Sequence, residues 1–251
     1  MAKTILAAIS AVLLISVSVF ARQQPTPAND SRDLSGIWMV RGTYRVFNEE
    51  LSVERPAVFT AWGQAQFDSH KTSRGPRAVV PALGNDPIGV CDPMGVPRIL
   101  LYDTPTEFVQ APGRIIQFFE RSHKWRTIWM DGRPHPTHEE PAYHGYALGK
   151  WDGDTLVVES TGFDERAWLD QYGSPHSESM RLTERWHRVN RETIELNMTI
   201  QDPKTYTKTL LSGTKTFKLQ PGAEILEAHC VPSEELSFNR RIRNPAAGLN
   251  E

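Results

Sequence analysis

Between residues 193 and 201 the chain alternates without a break. Ile194, Leu196, Met198 and Ile200 share one parity, while Glu195, Asn197, Thr199 and Gln201 share the other. A period of two places one set in a core and the other in water, which predicts a half-buried strand. Similar short runs rich in Val, Ile, Thr and aromatic residues recur from residue 99 onward, separated by turn-forming residues. Runs 106–110 and 114–121 flank Pro112-Gly113, and run 124–130 precedes Asp131-Gly132. Runs 146–151 and 155–163 flank Asp152-Gly153, and runs 181–189 and 193–201 flank a turn at residues 190–192. Runs 209–219 and 225–231 flank Pro221-Gly222. With a strand at residues 34–38 this gives about ten strands, joined mainly by turns too short for parallel pairing. A meander of that size must dispose of its edges, and closure is the most complete solution. The pattern therefore predicts an all-β fold, an up-and-down antiparallel β-barrel, with a β-sandwich as the alternative.

Residues 44–98 break this rhythm. Pro56, Pro76, Pro81, Pro87, Pro93 and Pro97 interrupt any long element, and the segment is expected to drape over the barrel. One short helix is expected at 57–70, where Val58, Ala61, Trp62, Ala65 and Gln66 fall at helical spacing.

The first residues have a different job. Lys3 precedes an apolar run at 5–20, and Val19 and Ala21 occupy the −3 and −1 positions of a cleavage site. This is the layout of a secretory signal peptide at 1–21, followed by a flexible leader at 22–33 and a single barrel domain at 34–251. The run is short for a bilayer span, and no cysteine follows it to carry a lipid. A periplasmic or secreted protein is expected, with no membrane contact once the signal is removed. In that compartment Cys91 and Cys230 are expected to form a disulfide that ties the early segment to the last strand. A thiol nucleophile or metal ligand is the alternative. The balance of 28 basic and 30 acidic side chains gives no basic surface for nucleic acid. Neither a phosphate-cradling glycine loop nor a dinucleotide fingerprint occurs.

Two resemblances add to this reading. Gly36-Ile37-Trp38 resembles the Gly-x-Trp start of lipocalin-type barrels. A longer set of motifs runs through residues 88–210: CDPMGVPR at 91–98, PGR at 112–114, DGRPH at 131–135 and GKWDGDTLVV at 149–158. TGF at 161–163, WLD at 168–170, PHSE at 175–178, Glu184-Arg185 and DPKTY at 202–206 continue it. Together they resemble a large family of secreted bacterial proteins of unassigned role. That resemblance supports a single domain and implies no reaction.

Candidate chemistry concentrates in two segments between strands. The first, 131–144, carries Asp131, Arg133, His135, His138, Glu139, Glu140, Tyr143 and His144. The second, 164–178, carries Asp164, Glu165, Arg166, Trp168, Asp170, Tyr172, His176 and Glu178. If the two converge, His135 and His176 become acid and base, because imidazole can give or take a proton near neutrality. Asp131 and Asp170 would orient the rings, Arg133 would clamp an anion, and Arg166 would hold an oxyanion or carboxylate. Ion pairing that merely pins the loop is the simpler role for Asp170 and Arg166. Ser177 lies beside His176, but no nucleophile elbow surrounds it. His135, His138, His144 and His176 form an alternative ligand set for zinc or copper, although their spacing matches no established motif.

Charges on strands form a third group. By parity Glu120, Arg126 and Glu184 are expected to face the lumen, where a charge must be paired or line a polar cavity. Trp125, Trp129, Trp151 and Trp186 serve either as core or as walls for a ring-shaped ligand. With Tyr206 and Arg166, the residues Glu120, Arg126, Trp129 and Glu184 make up the expected ligand-binding set. The expected function is an exported small-molecule enzyme using cofactor-independent acid–base chemistry at the barrel mouth. A non-catalytic lipocalin-like binder and a metal-dependent hydrolase are the alternatives. The expected partner is a small organic molecule.

Overall fold

The computed structural model describes residues 30–42, 44–137 and 140–249. The expected signal peptide and most of the leader lie outside the described residues, as does His138. The ten strands are β1 (Gly36–Val40), β2 (Thr106–Ala111), β3 (Arg114–Phe119), β4 (Lys124–Trp129), β5 (Tyr146–Asp152), β6 (Thr155–Thr161), β7 (Arg181–Asn190), β8 (Thr193–Gln201), β9 (Leu210–Leu211) and β10 (Lys215–Leu219). They pair in chain order from β1 to β8, and β10 bonds to both β1 and β8, closing a barrel. Nine strands form the wall, while the two-residue β9 hangs outside on the free part of β8. The all-β barrel read from the alternation is therefore the fold of the protein.

Inward parity fills the interior. Trp186 lies at its centre, with Phe108 edge-on at 5.1 Å and Phe217 tilted at 5.2 Å. Trp38, Ile115, Phe119, Ile128, Leu156, Leu182 and Leu196 complete this layer, all 3% exposed or less. The barrel is thus built around a packed core of these side chains.

The two rims differ. Tight turns at 112–113, 153–154 and 191–192 make the lower rim, whereas the long connections 41–105, 162–180 and 202–209 all meet at the upper rim. The irregular 41–105 segment caps that upper end, burying Phe47, Leu51, Met94, Val96, Ile99, Leu100 and Leu101 in the common core. Its one α-helix, α1 (Ala61–Ser69), is shorter than expected and starts at Thr60, whose side chain accepts from Gly63 N. Its buried face is Gly63 and Phe67, not the expected stripe of Ala61, Trp62, Ala65 and Gln66. The reason is a close approach: a Cβ on Gly63 would lie 3.0 Å from the Thr205 carbonyl carbon, so only glycine lets α1 lie against that loop.

Four other expectations are corrected. Among the ten strands pairing is antiparallel except between β4 and β5, which run parallel through only Ile128↔Ala147 and Trp129↔Leu148. Segment 130–145 forces this, because it starts beside the lower-rim turn (Met130 N donates to Gly113 O) and climbs to the upper rim before β5 begins. The 209–219 run is two strands divided around Gly213 at φ +64°, where an L side chain would be strained. Residues 225–231 form no strand; they lie outside the barrel, and the chain ends in a helical stretch beginning with α2 (Pro232–Phe238). The Cys91–Cys230 disulfide is present, with a Cα–Cα separation of 5.5 Å. It fastens the capping segment to this C-terminal extension, not to a last strand.

Candidate functional site

The brief β4–β5 pairing shapes the most distinctive site. Gly149 helps to set it: a Cβ there would meet Ile128 Cγ2 at 2.7 Å and would also crowd the Met130 sulfur. Above Ile128 the two strands part, and the wall opens into a crevice of about 470 Å³. Trp125, Trp129, Tyr143 and Tyr146 line it with Lys124 and Pro93, and so do the buried Arg126 and the half-buried His144. Trp125 is 61% exposed and marks the outer lip.

Behind the crevice lies a closed charge network. Arg126 on β4 donates to both carboxylate oxygens of Glu184 on β7, at 2.7 and 2.6 Å. Its Nε donates to Gln117 Oε1 at 2.5 Å, and Trp186 Nε1 donates to Glu184 Oε2 at 3.0 Å. All four side chains are buried. Two opposite charges with bidentate geometry and further hydrogen bonds satisfy the condition under which a buried ion pair is tolerated.

His144 is the exception to this satisfaction. It precedes β5 and packs its ring against Phe119 at 5.5 Å, yet both ring nitrogens are shielded from solvent and have no hydrogen-bond partner. Burial first, then the positive charges of Arg126 and Lys124, push its pKa down to about 3. The ring is therefore neutral at physiological pH and offers one N–H and one lone pair. Gln117 Nε2 on β3 and Ser160 Oγ on β6 are also buried in the barrel interior without partners, and neither lines the crevice. An orphaned buried polar group costs on the order of 1–3 kcal/mol, so the His144 ring marks this crevice as a candidate site. Above the crevice, burial and the nearby Asp92 carboxylate push the Tyr143 phenol up to about 12. The Arg166 guanidinium lies 5.1 Å from the same ring.

A pH dependence follows. An unfolded His144 takes up a proton near its ordinary value of 6.5, whereas the folded one stays neutral until about 3. Between those values the unfolded state binds more protons, so stability is lost as pH falls. His70 and His176, both pushed down mainly by burial, act in the same direction. Asp170, pushed up by burial, opposes them. Moving from pH 7 to 4.5 should cost the native protein about 2 kcal/mol more than it costs a His144→Leu variant. Urea unfolding at the two pH values measures this.

The two loop segments meet at the upper rim, where His135 and Glu178 line one crevice, but His135 and His176 share no cavity as acid and base. Asp131 and Arg133 remain by the lower rim, paired through Nη2–Oδ2 at 2.5 Å, with the Arg133 guanidinium 3.6 Å above the Trp129 ring. The guanidinium holds the Asp131 carboxyl below the usual carboxylate range. His135 has climbed to the upper rim, where its Nδ1 lies 3.1 Å from Thr161 Oγ1. It lines a separate crevice of about 370 Å³ with Glu178 and Arg181. His176 does not line that crevice: it is 2% exposed, its Nδ1 lies 3.2 Å from the Ser177 carbonyl, and Phe163 stands edge-on to it.

The carboxylate expected to orient a ring holds backbone instead. Asp170 accepts from Phe47 N, Tyr172 N, Ser174 N and Ser174 Oγ at 2.8–3.2 Å, tying the upper loop to the capping segment. Burial pushes its carboxyl up, and the backbone donors pull the other way. Arg166 pairs with Asp164 rather than Asp170. Ser177 Oγ donates to Asp202 at 2.7 Å, and Thr205 Oγ1 donates to the same carboxylate. Tyr206 is buried and donates to the Pro175 carbonyl at 2.6 Å. Glu120 lies at the β3–β4 turn, accepting from Leu226 N at 3.0 Å, because Ile115, Gln117 and Phe119 occupy the inward parity of β3. His135, His144 and His176 stand in separate surroundings, and among the described residues no three His, Cys, Asp or Glu side chains are grouped to hold a metal.

Of the residues singled out by sequence, the structure brings Arg126, Glu184, Trp129 and His144 together. It adds Gln117, which accepts from Arg126 and which sequence reasoning missed. Gln117 carried a signal, a polar residue between Ile115 and Phe119 on an apolar parity. Comparison of the chain with known protein families, with curated proteins and with solved structures finds no match.

Proposed function

We propose that this protein binds a small aromatic organic molecule in the β4–β5 crevice. The ring would lie among Trp129, Tyr143 and Tyr146, with its polar end toward His144. One observation carries this reading: a neutral, unpartnered histidine in the lining of an aromatic-walled opening, beside a charge network already satisfied within itself. The crevice also has the size of small-molecule sites. The acid–base enzyme built on His135 and His176 has less support, since the two rings share no cavity. Export to the periplasm or medium remains part of the proposal, supported by the leader pattern at 1–21 and by the disulfide. Among the described residues no helix is long and apolar enough to cross a membrane.

Phenol is a suitable first probe. Titration followed by NMR should perturb the Trp129 indole N–H, and Trp129→Ala should weaken binding by about tenfold. Equal affinity for the variant would place the ligand elsewhere.

A further inference from the structure

We infer that the inner end of the ligand is uncharged and carries both a hydrogen-bond donor and an acceptor, as a primary amide, lactam or phenol does. This rests on the crevice being the binding site and specifies what it selects.

The charge balance comes first. Arg126 is matched by Glu184, with Gln117 and Trp186 filling further positions on the pair. Among the described residues, no buried charge in the lining of the crevice is left over for an ion to neutralise. An anion entering there would have to compete with Glu184 for the guanidinium, and a cation would face Arg126 itself. Either would be desolvated without its own counter-ion, which buried sites strongly disfavour. Lys124 lines the same crevice but is exposed, so its charge, though felt at His144, is screened by solvent.

The hydrogen-bonding inventory comes second. Whichever nitrogen of His144 carries the proton, the ring presents one donor and one acceptor, and neither is used. A purely apolar ligand would leave both ring nitrogens unpaired, whereas a donor–acceptor group would satisfy them. Sites that hydrogen-bond a ligand group reject analogues lacking it far more strongly than apolar pockets reject a missing methylene.

Four probes of similar shape separate the possibilities: benzamide, benzoate, benzamidine and toluene. NMR titrations on the native protein, on Trp129→Ala and on His144→Leu would follow each. Benzamide should bind about tenfold or more tightly than benzoate or benzamidine, with shifts centred on Trp129. In His144→Leu its advantage over toluene should disappear while toluene still binds. If benzoate or benzamidine matches benzamide with shifts at Trp129, the crevice is the site and the neutral-ligand inference is overturned. If no probe binds, or binding is unchanged in Trp129→Ala, the crevice itself fails as the site, and the inference with it.

Discussion

Replacing Glu184 with Leu should destabilise the protein by about 3–5 kcal/mol, because it strands the Arg126 guanidinium in the barrel core. The same substitution made together with Arg126→Met should recover a substantial part of that loss. The recovery is incomplete because Gln117 Oε1 and Trp186 Nε1 lose their partners in the double variant, each at about 1–3 kcal/mol. Chemical denaturation of the two single variants and the double variant completes the cycle. A double variant as unstable as the sum of the singles would mean that the two side chains do not act as a pair, contrary to their bidentate contact at 2.7 and 2.6 Å.

The disulfide should behave in two parts. Closing a loop between residues 139 apart restricts the unfolded chain by about 5 kcal/mol in the chain-entropy treatment. In the native state, however, the bridge holds an extension that runs outside the barrel, with residues 221–224 and 230–234 exposed. Some of the unfolded-state restriction is offset by tethering this extension in the folded state. Cys91→Ser with Cys230→Ser should therefore cost about 2–4 kcal/mol, less than the closure value. The barrel should stay folded while residues beyond 220 become open to limited proteolysis. Cleavage of the extension only when the barrel unfolds would show that it belongs to the barrel's cooperative unit.

The barrel was legible because period-two alternation and turn dipeptides are local signals. The strands at 106–110, 146–151, 181–189 and 193–201 all appear close to their expected bounds. What the alternation did not carry was tertiary. The β4–β5 parallel pair depends on segment 130–145 traversing the wall, and nothing local at Asp131-Gly132 separates such a crossing from a hairpin. The buried face of α1 depends on a carbonyl from a loop more than a hundred residues away, so Gly63 read as a neutral position. Residues 225–231 have strand-like composition but find no partner, because β1 has already taken the outer edge of β10.

The candidate site divides in the same way. Glu184 was legible as a charge among apolar residues, and the Arg126–Glu184 pair shows why it can be there. On β3 the choice of Glu120 followed the parity of Ile116 and Phe118, while the structure turns Ile115, Gln117 and Phe119 inward. A one-residue change of parity exchanges every side chain between the two faces, and β3 is apolar on both. His144 appeared only as one member of a histidine cluster. Its importance comes from the parting of β4 and β5, a feature of pairing rather than of sequence spacing.

Crystals soaked with benzamide test the central claim most directly. The account predicts density in the β4–β5 crevice, with the ring against Trp129 and the amide within hydrogen-bonding distance of a His144 nitrogen. Density confined to the separate upper-rim crevice beside His135 and Arg181, or none in either, would contradict it.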